Sequence, residues 1–343
     1  MERNYAIDFI KFFAIFAVVV IHTIPKDSLI GLFVLDNFSR FAVPFFFVAS
    51  GYLFGLKIID NKESLAYFKK YVIKILKIYV CWLVFYTIYD VLIIYKNGSG
   101  VQRELMKYFD EFTLLNLLYY GEGTSGYHLW FLTSLIWSII TLYVFFRIKK
   151  INILFIVSLV LNLIGLFGQS YSMFYKLPIS STRDTLFFGL FYTALGFFFA
   201  FNLKWNKPRQ INNKTYLYLF FFFSLLQVME GYILDKVFSG SHGEYFLSTI
   251  FLTAFLFFFA LNNKLLGKGL LITKIGGDAL GIYIVHVFFI DIVDLTLNSL
   301  GLNFISENLL WKLFETLIVF IISYIAYSFL QYLKHGLMRK NHS

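Results

Sequence analysis

The sequence is poor in the features that mark most soluble enzymes. It holds one cysteine in 343 residues. That residue, Cys81, sits inside an apolar run, which excludes an intramolecular disulfide and any cysteine-based metal cluster. No Walker loop, dinucleotide fingerprint or Gly-x-Ser-x-Gly elbow occurs. The histidines fall at neither His-x3-His nor His-Glu-x-x-His spacing, so no metal site is expected. Charged residues make up only 15% of the chain, where a soluble domain carries roughly 25%. A cleavable leader is not expected either. The first hydrophobic stretch is near spanning length, contains Asp8 and Lys11, and lacks a small-residue cleavage site before Pro25.

What the chain does have is apolar surface. Hydrophobic residues are 59% of it, 45 positions are phenylalanine, and the mean hydropathy is +0.71. Its solvent is therefore mostly lipid. The net charge of +10 is spread between apolar runs rather than gathered on one face. That pattern speaks for membrane topology and against nucleic acid as a partner.

Apolar runs lie near residues 5–25, 37–57, 73–95, 129–147, 151–169, 184–203, 214–233, 245–262, 277–297 and 311–333. Ten spans put both termini on one side. The loops on that side carry Arg3, Lys57, Lys62, Lys69, Lys70, Lys74, Lys77, Arg147, Lys149, Lys150, the basic residues of 204–214 and 264–274, and the tail from Lys334. Together these are 20 of the 30 lysines and arginines; the other side holds nine and Lys11 lies within a span. By the positive-inside rule both termini are cytoplasmic. The expectation is an all-α integral membrane protein of about ten transmembrane helices. Residues 1–343 read as a single transmembrane domain with no appended soluble domain. Residues 96–127 form a long extracytoplasmic loop, with an amphipathic stretch (Leu105, Tyr108, Phe109, Phe112, Leu115, Leu118) and a hinge, Gly121-Glu-Gly-Thr-Ser-Gly126.

Four groups of residues stand out against this background. Lys11 and His22 are eleven residues apart on the first span, so their side chains fall within about 20° of each other and about 16 Å apart along the axis. Burying an ionisable group at the depth of Lys11 costs about 2.5–3.5 kcal/mol on insertion scales. His22 reads either as an interfacial histidine without a task or as a base able to take a proton from a hydroxyl at neutral pH. The second group is Arg40, Pro44, Ser50, Gly51 and Tyr52: a snorkelling cation, a helix-opening proline and a small surface for close approach, or together a bent, charged helix mouth. In the third, an aromatic belt accounts for Tyr127 and Trp130 but not for His128. The fourth is Tyr283 and His286, which share a helix face at i, i+3. A packed, hydrogen-bonded histidine is the plain alternative there, with Asp291 and Asp294 further out as partners or as cleft lining.

Taken in order, Ile7-Asp8-Phe-Ile-Lys11…His22, Arg40…Pro44-Phe-Phe…Ser50-Gly51-Tyr52, His128-Leu-Trp130-Phe131 and Tyr283-Ile-Val-His286 resemble the membrane-bound acyltransferase family 3. That family includes bacterial O-acetyltransferases of cell-surface polysaccharides. Its hallmark is Arg-x10-His on the first span. His22 matches, whereas Lys11 stands in the arginine position, keeping the charge and losing the planar fork. The resemblance implies acetyl-CoA, or another short acyl-CoA, as a cytoplasmic co-substrate, with no permanently bound cofactor. It also implies a surface polysaccharide or lipid-linked glycan as acceptor, and a multi-pass location in the bacterial cytoplasmic membrane. His22 is then the catalytic base. Lys11, Arg40, Ser50, Tyr52, Tyr283 and His286 bind donor or acyl group or stabilise charge, and His128, Trp130 and Arg183 bind acceptor. The basic residues Lys69, Lys70, Lys74 and Lys77 are expected to attract the donor's phosphates. A transporter or flippase for a glycan or small metabolite is the alternative, since ten spans with buried charges also suit transport.

Overall fold

The computed structural model describes residues 3–26, 29–98, 100–179, 181–205, 212–240, 242–306 and 308–340, and all regular structure among them is helical. Helix α1 (Tyr5–Thr23) shows why. Its 19 residues make a rod of about 28 Å, close to the thickness of a bilayer's hydrocarbon. The Asn4 side chain accepts from the Ala6 amide at 3.0 Å, and Asp8 lies in the first turn, where the helix dipole favours a carboxylate. Glycine and proline are absent until Pro25, past the helix end.

Nine helical stretches among the described residues are long and apolar enough to cross a membrane. The eighth expected span is the exception. It forms α9 (Leu247–Asn262), 16 residues or about 24 Å, short of the roughly 30 Å hydrocarbon core. Two other boundaries move. The connection expected before residue 37 is helical: Ile30–Asp36 forms a wide-turn π-helix. That segment runs on through Asn37–Ser39 into α2 (Ala42–Ile58), giving an apolar stretch over Ile30–Ile58. The expected span 73–95 begins earlier, as α3 (Ser64–Asn97). No glycine or proline interrupts its 34 residues, so Lys69, Lys70, Lys74 and Lys77 sit on helix rather than in a loop.

The long connection expected at 96–127 contains α4 (Val101–Asp110), which buries no residue, and a short π-turn, Asn116–Tyr120. After it come α5 (Trp130–Arg147), α6 (Ile151–Gly165), α7 (Leu190–Trp205) and α8 (Asn213–Lys236). The final elements are α9, α10 (Leu271–Gly277), α11 (Ala279–Ser299) and α12 (Leu309–Lys340). Residues 206–211, with Lys207 and Arg209 of the expected basic loop, lie outside the described residues, as do residues 27 and 28.

The chain folds as two compact units. The first comprises Met1–Val43, Asn213–Met229 and Ser248–Ser343, and is built on α1, α10, α11 and α12. Close approach there depends on Gly276, where a Cβ would lie 1.9 Å from the Asp8 carbonyl oxygen on α1. The second comprises Pro44–Asn212 and Glu230–Leu247. In it α2 and α7 meet backbone to backbone: a Cβ on Gly51 would lie 2.0 Å from the Thr193 oxygen, and one on Gly196 would lie 1.9 Å from the Val48 oxygen. The small surface read at Ser50-Gly51 thus receives a helix.

Gly276→Ala is expected to lower the thermal midpoint of the detergent-solubilised protein, by an overpacking cost of about 1–3 kcal/mol. Gly336→Ala, whose Cβ would meet nothing within 4 Å, should leave the midpoint unchanged. Equal midpoints for the two variants would contradict the packing of α10 on α1.

Candidate active site

The first unit gathers most of the catalytic candidates. Because α1 is unbroken from Tyr5 to Thr23, Lys11, Ile15, Val18 and His22 form one stripe at i, i+4, i+7 and i+11. Ile15 and Val18 are buried, while Lys11 and His22 are half-buried, so the stripe faces protein rather than lipid. Lys11 does not stand alone. Its Nζ is 3.4 Å from Asp8 Oδ1, and the other Asp8 oxygen holds the Arg3 guanidinium at 2.7 Å. Asp278, at the head of α11, has its pKa raised by burial and by the nearby Asp8 charge.

At the far end of the stripe, the rings of His22 and His286 lie 5.2 Å apart, tilted by 43°. His286 is fully buried on α11. Its Nδ1 hydrogen-bonds the Tyr283 carbonyl at 2.6 Å. A carbonyl can only accept, so Nδ1 carries the proton and Nε2 is the basic nitrogen of the neutral ring. The i, i+3 pair read from the sequence therefore meets through Tyr283's backbone as well as by ring contact, at 5.7 Å. Two imidazoles in contact, one with an assigned tautomer, form a group that can accept and relay a proton.

Arg40 is buried with Asp36 one turn earlier. Nε and Nη2 each donate to a separate Asp36 carboxylate oxygen at 2.9 Å, with the two side chains 6% and 1% exposed. Such fork-on-fork pairing fixes the guanidinium plane, so Arg40 does not snorkel to water. Next to His22, Thr23 Oγ1 meets Thr316 Oγ1 at 2.6 Å. One residue from Thr316, the wholly buried Glu315 lies 2.8 Å from Lys312 Nζ, which is also 3.4 Å from Asp294. Asp294 is therefore paired with α12. Asp36, Thr23, Glu315 and Thr316 went unmarked in the sequence. The signal for Asp36 was its i, i+4 spacing to Arg40; that for Glu315 was a carboxylate in an apolar run, three residues after Lys312.

The remaining candidates lie in the second unit. Ser50 and Tyr52 are on α2, at its contact with α7. His128 sits in a single 3-10 turn, Tyr127–Leu129, at the head of α5. It is 1% exposed, edge-on to Tyr86 at 5.4 Å. Arg183 stacks over the Trp130 ring at 5.4 Å and pairs with Glu244 at 2.7 Å and Glu122 at 3.4 Å. Beside it, Asp184 accepts from the Phe187 amide and the Tyr119 hydroxyl, both at 2.9 Å. Burial raises the Asp184 pKa, and those two hydrogen bonds oppose the rise. Trp130 is itself buried, so the group offers a ligand the Arg183 guanidinium and its flanking carboxylates as hydrogen-bonding partners. Trp130 and Arg183 are thus brought together. Glu122, Glu244, Asp184 and Tyr119 were not read from the sequence as members of this group.

The model of the acyltransferase domain matches residues 4–328. The chain belongs to acyltransferase family 3. As a family 3 protein with nine apolar membrane-length helices among its described residues, it is a multi-pass membrane protein. Two Enterococcus faecalis proteins named amino-acid racemase are similar to it. One is 28% identical over 244 residues, covering 66% of this chain and 31% of the relative. The other is 27% identical over 312 residues, covering 85% and 42%. The chain thus spans about a third to two fifths of the length of these curated relatives. No solved structure matches. Lys11, expected from the sequence to stand in the arginine position of the hallmark pair, has its charge met by Asp8.

Asp36→Ala removes the bidentate partner of a buried guanidinium, a loss of about 3–5 kcal/mol. Accumulation of folded protein should fall sharply, and Asp36→Leu combined with Arg40→Met should restore most of it. Failure of the double replacement to recover folded protein would assign this pair a role beyond mutual neutralisation.

Proposed function

We propose that this chain is an integral membrane O-acyltransferase. It moves an acetyl or other short acyl group from cytoplasmic acyl-CoA to a hydroxyl of a cell-surface glycan or its lipid-linked precursor. The reading places it in the bacterial cytoplasmic membrane with both termini cytoplasmic. The observation that carries it is the His22–His286 contact at one end of a protein-facing stripe whose other end is Lys11, in a chain of an acyltransferase family.

His22 accepts the proton of the acceptor hydroxyl as its oxygen attacks the thioester carbonyl. The tetrahedral oxyanion collapses, the C–S bond breaks, and the imidazolium returns the proton to the departing thiolate. Ester and free coenzyme A result. A transient acyl-imidazole balances equally well. His286 orients His22 through the ring contact. Arg40 is assigned to stabilising the developing oxyanion, and Lys11 to meeting negative charge along the donor's path. On their chemistry, His128, Trp130 and Arg183 are assigned to acceptor recognition, and Ser50 and Tyr52 to the acyl group.

A second reading, transport of a small metabolite, is favoured by charged residues within membrane-length helices; the relatives' name, amino-acid racemase, makes an amino acid a candidate metabolite. Mass spectrometry of cell-envelope glycans separates the two. Loss of the protein should shift a glycan by one acyl unit, whereas loss of a transporter leaves glycan mass unchanged and alters uptake.

His22→Ala should abolish this acyl increment while the protein still accumulates in the membrane. Normal acyl content in that variant would remove His22 from the mechanism. Lys11→Arg should retain transfer, and Lys11→Ala should raise the acyl-CoA concentration needed for half-maximal rate. Unchanged donor dependence in Lys11→Ala would exclude its role toward the donor.

A further inference from the structure

A cavity of about 830 Å³ opens at the start of α1 within the first unit, lined by Arg3, Tyr5, Asn262, Asn263, Lys264 and Lys268 among others. The backbone holds its walls together. The Tyr5 amide donates to the Lys264 carbonyl at 2.8 Å, and the Asn4 side chain donates to the Ala260 carbonyl at 3.0 Å. Two cations address the Tyr5 ring, Arg3 at 5.4 Å and Lys268 at 6.0 Å from its centre. Asn263 is braced by hydrogen bonds to the Phe259 carbonyl and from Asn213. Among the described residues, the acidic groups near this end of α1 include Asp8, occupied by Arg3 and Lys11, and Asp278, whose pKa is raised by burial and by the Asp8 charge.

Three cationic side chains, an aromatic face and two amides in one cavity match a ligand that carries phosphates beside a planar base. We propose that this cavity is the docking site for the nucleotide end of the acyl donor. Lys264 and Lys268 hold its phosphates, and Tyr5 with the asparagine amides faces the base. The assignment rests on the acyl-CoA reading above and replaces Lys69, Lys70, Lys74 and Lys77 as the principal phosphate contacts. Those lysines are exposed along α3, where they attract an anion without enclosing it. The geometry is also coherent along α1. From Tyr5 the same helix passes Lys11 and reaches His22 after 17 residues, about 25 Å, a distance that calls for a long extended carrier arm between phosphate and thioester.

The test is calorimetric titration of coenzyme A into the full chain, in nanodiscs of phosphatidylcholine alone and in nanodiscs containing phosphatidylglycerol. Lys264→Gln with Lys268→Gln should weaken coenzyme A binding by roughly tenfold or more in both lipids. Lys149→Gln with Lys150→Gln, which removes the same charge elsewhere, should not. Unchanged coenzyme A affinity in the first pair overturns the site and leaves acyl-CoA as the donor. A change only in retention of phosphatidylglycerol also overturns it, since the cavity then takes a lipid phosphate. If the wild-type protein fails to bind coenzyme A in either lipid, the donor reading itself falls, and the site with it.

Discussion

Burying charge in membrane-length helices is tolerable only with partners, and those partners organise the first unit. Asp8 serves Arg3 and Lys11 at one end of α1. Asp36 grips Arg40 with both oxygens, and Lys312 lies between Glu315 and Asp294. The buried Asp36–Arg40 and Glu315–Lys312 pairs offset a desolvation cost that hydrophobic packing cannot meet. Each also fixes a side chain that would otherwise swing toward water. Their placement leaves the stripe from Lys11 to His22 facing protein, and the catalytic proposal needs nothing more elaborate than that.

The histidine pair depends on this frame. His286 is buried and its Nδ1 is committed to Tyr283's carbonyl, so its ring cannot rotate freely. His22, at the last turn of α1, lies against a ring of defined tautomer. Close backbone packing at Gly276 holds α1 against α10, which sets the helix from which both Lys11 and His22 project. In the second unit the same principle appears at Gly51 and Gly196, where two small residues let α2 and α7 pack at backbone distance.

Much of this was legible in the chain. The apolar runs located the helices, and the eleven-residue offset put Lys11 and His22 on one face of α1. The i, i+3 spacing joined Tyr283 and His286. The family match over residues 4–328 agrees with motifs spread over the same length. Pairing across helices was not legible: no local pattern links Thr23 to Thr316 or Arg183 to Glu244 and Glu122. Nor did the hydropathy of 245–262 reveal that its helix is only 16 residues long. The helical extension of residues 64–72 was hidden for a different reason. Its lysines read as loop on a hydropathy scale, while lysine's propensity and the absence of glycine and proline favour continued helix.

The account stands on His22 being reached by the acceptor from outside the cell while α1 begins in the cytoplasm. A single cysteine at position 22, introduced as His22→Cys in a Cys81→Ser background, tests this with a membrane-impermeant maleimide. Modification in intact spheroplasts, with none in sealed inside-out vesicles, is the predicted result. Modification only in the inside-out vesicles would place the imidazole on the donor's side and contradict the mechanism.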